Sequence, residues 1–444
     1  MRKILTGLML LILATSGAFA QDSKAKTKGD LYEELDLLMD IFQRVRTEYV
    51  DEVEDTEVLE AAIQGMLQSL DPHSHYFNAS KFEDVNEQMT GEYGGLGMEI
   101  TSERGIIKVI SPIDETPAER AGIKGGDFIT HLDGVSIVGQ STDQAVTSMR
   151  GAAGEPITLT IVREGESEPL EITLVRAVIK LKSVRHRIES DTIGYIRVST
   201  FNISSGADVE KAITAIKEEV GDSLEGIVLD VRNNPGGLLT EAIRISDAFL
   251  DHGEIVSTRG RHDYNNSRAF AEEGDMIDGL PIVVLINGSS ASASEIVAGA
   301  LQDHRRAVIL GDKTFGKGTV QSEMRLGRQG DRAIRLTTAK YYTPSGRSIQ
   351  GRGIEPDIEV LFTRKNGELY NSRRESDIRG SFTNDQETVD RTGEDANDKE
   401  APDTRNTSSD TSKDFQLERA VALLKSLKAT PAPAPVMADA SNAN

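Results

Sequence analysis

No cysteine occurs among the 444 residues, so disulfides, thiolate metal sites and a cysteine nucleophile are all excluded. Positive charge is in deficit: 50 Lys and Arg stand against 72 Asp and Glu, a net charge of −22 that argues against nucleic acid as a partner. The same imbalance speaks to solubility more than to fold, and it makes no specific case for a cationic substrate. Long apolar runs are missing after Ala20, so no later segment is expected to span a bilayer.

What is present begins with an export signal. Arg2 and Lys3 form a charged start, and Leu5 to Ala14 is an apolar run too short to span comfortably. Ala18-Phe19-Ala20 then offers a small-residue cleavage site, with Gln21 as the expected mature N-terminus. The expected location is the periplasm, with membrane association if the signal stays uncleaved. Free ATP is scarce there. A hydrophobic content of 38% and this length suit two or three domains.

Residues 28–92 read as a helical region. Leu31, Leu35, Leu38, Phe42, Val45 and Tyr49 repeat at helical spacing behind a capping-box-like Asp30 and Glu33. A second helix carries Leu59 to Leu70 and stops at Asp71-Pro72, and a third begins at Ser80 with Glu83. His73 and His75 fall in the loop between them. Two histidines invite a metal, but no third ligand is evident and none is expected.

Residues 93–178 change to short strands, with Ile106–Ile110, Phe128–Leu132 and Ile157–Val162 around an Asp133-Gly134 hairpin signal and a short helix at Thr142–Met149. From 179 to 364 apolar strands (Ile193–Val198, Gly226–Asp230, Pro281–Ile286, Ala307–Leu310) alternate with helices (Ala207–Val220, Leu238–Leu250, Glu295–Gln302). That alternation predicts an α/β core with parallel pairing, followed by a β-rich stretch from Ala333 to Tyr342. Residues 365–413 have the composition of a disordered polar segment. Residues 414–428 form a candidate amphipathic helix through Leu417, Ala420, Leu423 and Leu424, and 429–444 a flexible tail.

Three motifs follow apolar strands. Ser290-Ala291-Ser292-Ala293-Ser294-Glu295 places serines at a sharp turn beside the free amides of a helix start, which suits an oxyanion as well as a plain helix cap. Asp230-Val231-Arg232-Asn233-Asn234-Pro235-Gly236-Gly237 makes a tight turn that exposes backbone N–H groups. Thr314-Phe315-Gly316-Lys317-Gly318-Thr319-Val320-Gln321 resembles a phosphate-binding loop only at first sight. Gly318 stands where a magnesium-holding Ser or Thr is needed, and strand rather than helix follows. A lysine is ordinarily a surface residue, but glycines on both sides and apolar neighbours would let Lys317 pack closely, and burial would lower its amine towards neutrality and make it a general base. A serine–histidine pair would have to use His304, which sits at a polar helix end.

Two resemblances gather these motifs. Gly94-Gly95-Leu96-Gly97-Met98, Pro117-Ala118-Glu119-Arg120-Ala121-Gly122-Ile123 and Gly125-Gly126-Asp127-Phe128-Ile129 resemble a bacterial PDZ domain, whose Gly-rich loop and sheet edge would take a C-terminal peptide at Leu96, Gly97 and Met98. From the helical region to about Val360 the chain resembles the carboxyl-terminal processing proteases, also called tail-specific proteases. The resemblance implies a crotonase- and Clp-like catalytic fold, Ser292 as nucleophile, Lys317 (25 residues later) as base, and Gln321 as the residue orienting that lysine. It also implies oxyanion donors from Ala293 and from Gly236 or Gly237, the choice between the glycines staying open. It further implies no cofactor, protein or peptide substrates with accessible C-termini, gating by the PDZ domain, homo-oligomers built through the helical ends, and room for an adaptor protein. The long polar insertion before the last helix departs from the family pattern and leaves assembly in doubt. Two rival readings are a non-catalytic PDZ scaffold and an acyl-CoA enzyme, the second disfavoured by the signal and the PDZ segment.

Overall fold

The computed structural model describes residues 28–361, 373–386 and 414–429. The expected signal, its cleavage site and the tail beyond Ala429 lie outside these residues, as do 362–372 and 387–413 of the polar segment. Among the described residues no helix is long and apolar enough to cross a membrane.

The chain divides into residues 1–63 and 64–444. In the first unit the helix Lys28–Glu48 displays Leu31, Leu35 and Leu38 on its surface, all exposed. It is already helical at Lys28, so Asp30 is not its cap. The helix Asp55–Gln68 crosses the division and opens with Asp55 and Glu57, whose charges suit a helix N-terminus.

The second unit is organised by a sheet. Strands Ile193–Val198, Gly226–Asp230, Ile282–Ile286, Ala307–Gly311 and Ile358–Glu359 lie side by side in chain order, all parallel, with Val184–Glu189 antiparallel at one edge. Successive residues point to opposite faces, and both faces are covered. Ile227, Leu229, Ile282 and Val284 pack with helices Ser205–Val220, Leu239–Asp247 and Ala293–Asp303. Val228, Val283 and Leu285 pack against Leu417, Val421 and Leu424 of the helix Phe415–Ala429. The last helix therefore has its apolar face buried in its own chain.

A second sheet pairs Arg332–Tyr342 with Glu254–Gly260, Thr319–Leu326 and His75–Phe77. The last of these corrects the loop expected around His75: its backbone finds partners on Arg335 to Ala333 and becomes a strand. The third helix is Ala79–Thr90, capped by the Asn78 side chain, which accepts from the Lys81 amide, and not by Ser80.

Strands Met98–Glu103, Ile106–Pro112, Phe128–Leu132, Pro156–Val162 and Leu170–Val175 form a separate sheet around Ile107, Val109, Ile129 and Leu159. The helix Thr142–Met149 carries the expected boundaries and a Ser141–Gln144 capping box. A two-stranded ribbon, Glu92–Gly95 with Ala177–Lys180, brackets this domain at its chain ends.

Residues 373–386 correct the expectation of disorder from 365 to 413. They hold a turn of 3-10 helix at Glu375–Asp377 and bury Glu375 and Asn384. Few apolar residues are needed because hydrogen bonds fix them: Asn384 donates to the carbonyls of Ser348 and Gln350, and Tyr342 to Asp385.

Candidate active site

All three motifs emerge at one end of the parallel sheet, as strands in α/β sheets present their C-terminal ends to ligands. Ser292 caps the helix Ala293–Asp303 with φ 56 and ψ −112, a backbone region costly for any residue but glycine. The three serines of its motif are not equivalent. Ser290 and Ser294 are fully buried, and their hydroxyls donate to the carbonyls of Val231 (2.8 Å) and Asn234 (3.0 Å). Ser292 is half-buried and lies beside the Tyr341 phenol.

The Gly-Gly turn packs directly behind it. Gly236 and Gly237 have φ 104 and 144, and a Cβ on Gly236 would sit 2.9 Å from Ser292 Cβ. A Cβ on Gly237 would sit 2.2 Å from the Phe201 carbonyl. No other residue fits either place. The Gly236 amide donates to Asn234 Oδ1 at 2.9 Å, whereas among the described residues the amides of Gly237 and Ala293 have no acceptor. Arg232, in the same loop, points away: it pairs with Asp230 (2.6 Å) and Asp414 (2.7 Å), tying the turn's strand to the last helix.

One buried carboxylate joins the Ser292 and Lys317 loops. Glu295 Oε1 accepts from Thr314 Oγ1 (2.6 Å) and the Gly316 amide (2.7 Å). Its Oε2 accepts from the amides of Ser292 (2.7 Å) and Lys317 (2.9 Å). Two residues 25 apart in sequence thus share a single oxygen. Burial pushes the Glu295 carboxyl up to about 7, against these hydrogen bonds, which pull it down.

The lysine loop is restrained on every side. The Phe315 amide donates to the Ser290 carbonyl (3.0 Å), the Gly351 amide to the Gly316 carbonyl (2.8 Å), and Gly318 to Gln350 Oε1 (2.9 Å). The Tyr341 hydroxyl donates to the Lys317 carbonyl. Among the described residues Lys317 Nζ has no hydrogen-bond or ion-pair partner. Burial holds this amine below the ordinary lysine value; Glu375, Glu295 and Asp71 oppose that, and Arg335 adds to it.

Gln321 donates to Thr319 Oγ1 (3.0 Å) and Thr337 Oγ1 (3.2 Å), so no bond joins it to Lys317 in this arrangement. His304 lies at the far end of the helix that Ser292 begins and bonds the Glu254 carbonyl at 2.7 Å, which removes the serine–histidine alternative. His73 pairs with Glu375 and His75 with Gln64; among the described residues no cluster of three or more His, Asp or Glu could hold a metal. In the strand-rich domain, Leu96, Gly97 and Met98 line a groove with Ile100, Val146 and Met149, and the Leu96 and Gly97 amides have no acceptor among the described residues.

Sequence reasoning quoted Glu295 but gave it no role. The signal was there: Ser-x-x-Glu at a helix start, followed by apolar residues that bury it. Tyr341 and Glu375 carry no local signal, because each reaches the site from a distant segment.

A serine at a strained turn, free amides beside it and a desolvated amine define a serine-protease class of site. A model of peptidase family S41 matches residues 192–360, a PDZ domain model 94–174, and a model of the activating protease CtpB N-terminal domain 13–81. The carboxy-terminal-processing protease of Bartonella bacilliformis is 55% identical over 342 residues, covering 77% of this chain and 78% of that protein. A probable CtpA-like serine protease of Staphylococcus saprophyticus is 34% identical over 360 residues, covering 80% and 71%. Among solved structures, the photosystem II D1 C-terminal processing protease is 27% identical, with 74% of this chain and 93% of that chain covered and a TM-score of 0.42. The chain belongs to the carboxy-terminal-processing proteases of peptidase family S41, serine proteases, and carries a PDZ domain.

Proposed function

We propose that Ser292 attacks the scissile carbonyl while neutral Lys317 takes its proton and returns it to the leaving amine, water then releasing the acyl-enzyme. The observation that carries this reading is the Glu295 carboxylate, which gathers the amides of Ser292 and Lys317 onto one oxygen. The Ala293 amide and the Gly236-Gly237 turn serve as oxyanion donors. Gly237 is favoured as the second donor because the Gly236 amide is already bonded to Asn234. Gln321, its Nε2 committed to two threonines and unbonded to Lys317 in this arrangement, keeps Oε1 for orienting the lysine during the reaction.

Substrates are exported proteins whose flexible C-termini bind at Leu96, Gly97 and Met98 in the groove of the PDZ domain, the chain itself acting in the periplasm after removal of residues 1–20. The exposed Leu31, Leu35 and Leu38 suit contact with a second copy, and an adaptor protein could use the same region. Wild type, Ser292→Ala and Lys317→Ala incubated with labelled casein test the dyad. Both variants are expected to lose cleavage by at least about a thousandfold; wild-type turnover by either sinks it.

A further inference from the structure

The segment 373–386, outside the span matched by the protease model, is hydrogen-bonded to the lysine loop. Its Glu375 amide donates to the Phe315 carbonyl at 3.0 Å, and Arg374 donates to the Thr314 carbonyl at 2.8 Å. The Glu375 side chain is fully buried, a costly place for a carboxylate without partners. It has two. His73 Nε2 meets both oxygens at 2.9 and 3.0 Å, and Gln350 Nε2 donates at 3.1 Å. Gln350 also accepts from the Gly318 amide through Oε1. Segments 302 residues apart in sequence therefore meet on one carboxylate beside Phe315-Gly316-Lys317-Gly318.

We infer that Glu375, anchored by His73 and Gln350, is a positioning residue for the Lys317 base. The inference rests on the dyad reading. Glu375 does not touch the reacting atoms; it sets where the lysine loop lies and what charge the amine faces. The ionisable groups around that amine are Glu295 from the nucleophile helix, Asp71 and His75 from the turn and strand before Phe77, Arg335 from the long strand, and Glu375. Glu375 is the leading influence holding the amine up against burial. Burial alone would raise the Glu375 carboxyl, but the bonds from His73 and Gln350 bring it below its ordinary value, so it stays charged.

The test measures casein cleavage across pH, with thermal unfolding, on the full chain. Glu375→Gln keeps the shape and removes the charge. Its kcat is expected to fall on the order of ten- to a hundredfold with KM within about twofold. The acid limb of the profile should move to lower pH, because an amine that loses a facing carboxylate gives up its proton more easily. His73→Ala should lower kcat in the same way and His73→Gln should restore most of it. A folded Glu375→Gln with wild-type kcat, or with an unmoved acid limb, overturns the inference. If Glu375→Gln does not fold, the His73 pair decides: loss rescued by glutamine supports the role, while equal behaviour of the two variants overturns it. Ser292→Ala and Lys317→Ala run alongside. If either of these cleaves, the dyad fails; if both are dead while Glu375 and His73 variants behave as wild type, only the positioning role fails.

Discussion

The Ser292 loop and the Lys317 loop are held in place by opposite means. Residues 290–294 hold themselves: Ser290 and Ser294 reach out to carbonyls of the neighbouring Gly-Gly loop, and Ala291 donates its amide to the Asn234 carbonyl. Among the described residues no side chain of 315–318 makes a hydrogen bond. Their backbone is gripped from outside by Glu295, Tyr341, Gln350 and Glu375, from four other places in the chain. The difference fits the proposed dyad. A nucleophile needs a fixed hydroxyl, and its neighbours can be spent on fixing it. A base needs its amine unbonded, so on that reading fixing its loop falls to others.

Outside Ser292 and Lys317 themselves, the largest expected effect comes from the one group that both loops share. Glu295→Gln puts an NH2 among four donors, and should lower kcat by about two orders of magnitude. Cleavage rates check it. The same variant carries a pH signature. The Glu295 carboxyl is raised from 4.5 to about 7, so the folded state holds this proton more tightly than the unfolded one. Its contribution to stability is complete below pH 4.5 and lost as pH rises through about 7. Unfolding temperatures of the wild type should fall across that window, and Glu295→Gln should flatten the fall.

Tyr341→Phe removes one outside grip, the donor to the Lys317 carbonyl. A loss of about 1–1.5 kcal/mol and roughly a tenfold fall in kcat are expected, read by thermal unfolding and casein turnover. Smallest is Ser294→Ala, which takes one bond from a loop with several others. About 1 kcal/mol of stability should go, with kcat within about threefold of wild type. If Ser294→Ala proves more damaging to turnover than Tyr341→Phe, the contrast between the loops is wrong.

Much of this was legible in the chain. Strands Ile193–Val198 and Gly226–Asp230 have the boundaries expected from their apolar runs, since burial on both faces leaves little else they can be. The serine and lysine motifs stood out because each follows such a strand. Residues 373–386 did not, since polar composition resembles disorder when what orders it is hydrogen bonding to segments far away. The Ser80 cap failed for a smaller reason: Asn78, two residues earlier, caps equally well. The role of Glu375 needed its distance to His73, and no spacing along the chain encodes that.

Arg232 connects these matters to the order in which the molecule is made. Its guanidinium waits for Asp414 and Gln416, and one face of the central sheet waits for Leu417, Val421 and Leu424. Synthesis runs from the N-terminus, so every residue of the Ser292, Lys317 and Gly-Gly loops has been made before the helix that covers the sheet behind them. The growing chain therefore carries all three loops on an unfinished scaffold. The helix Phe415–Ala429, made after all of them, is the one that closes it.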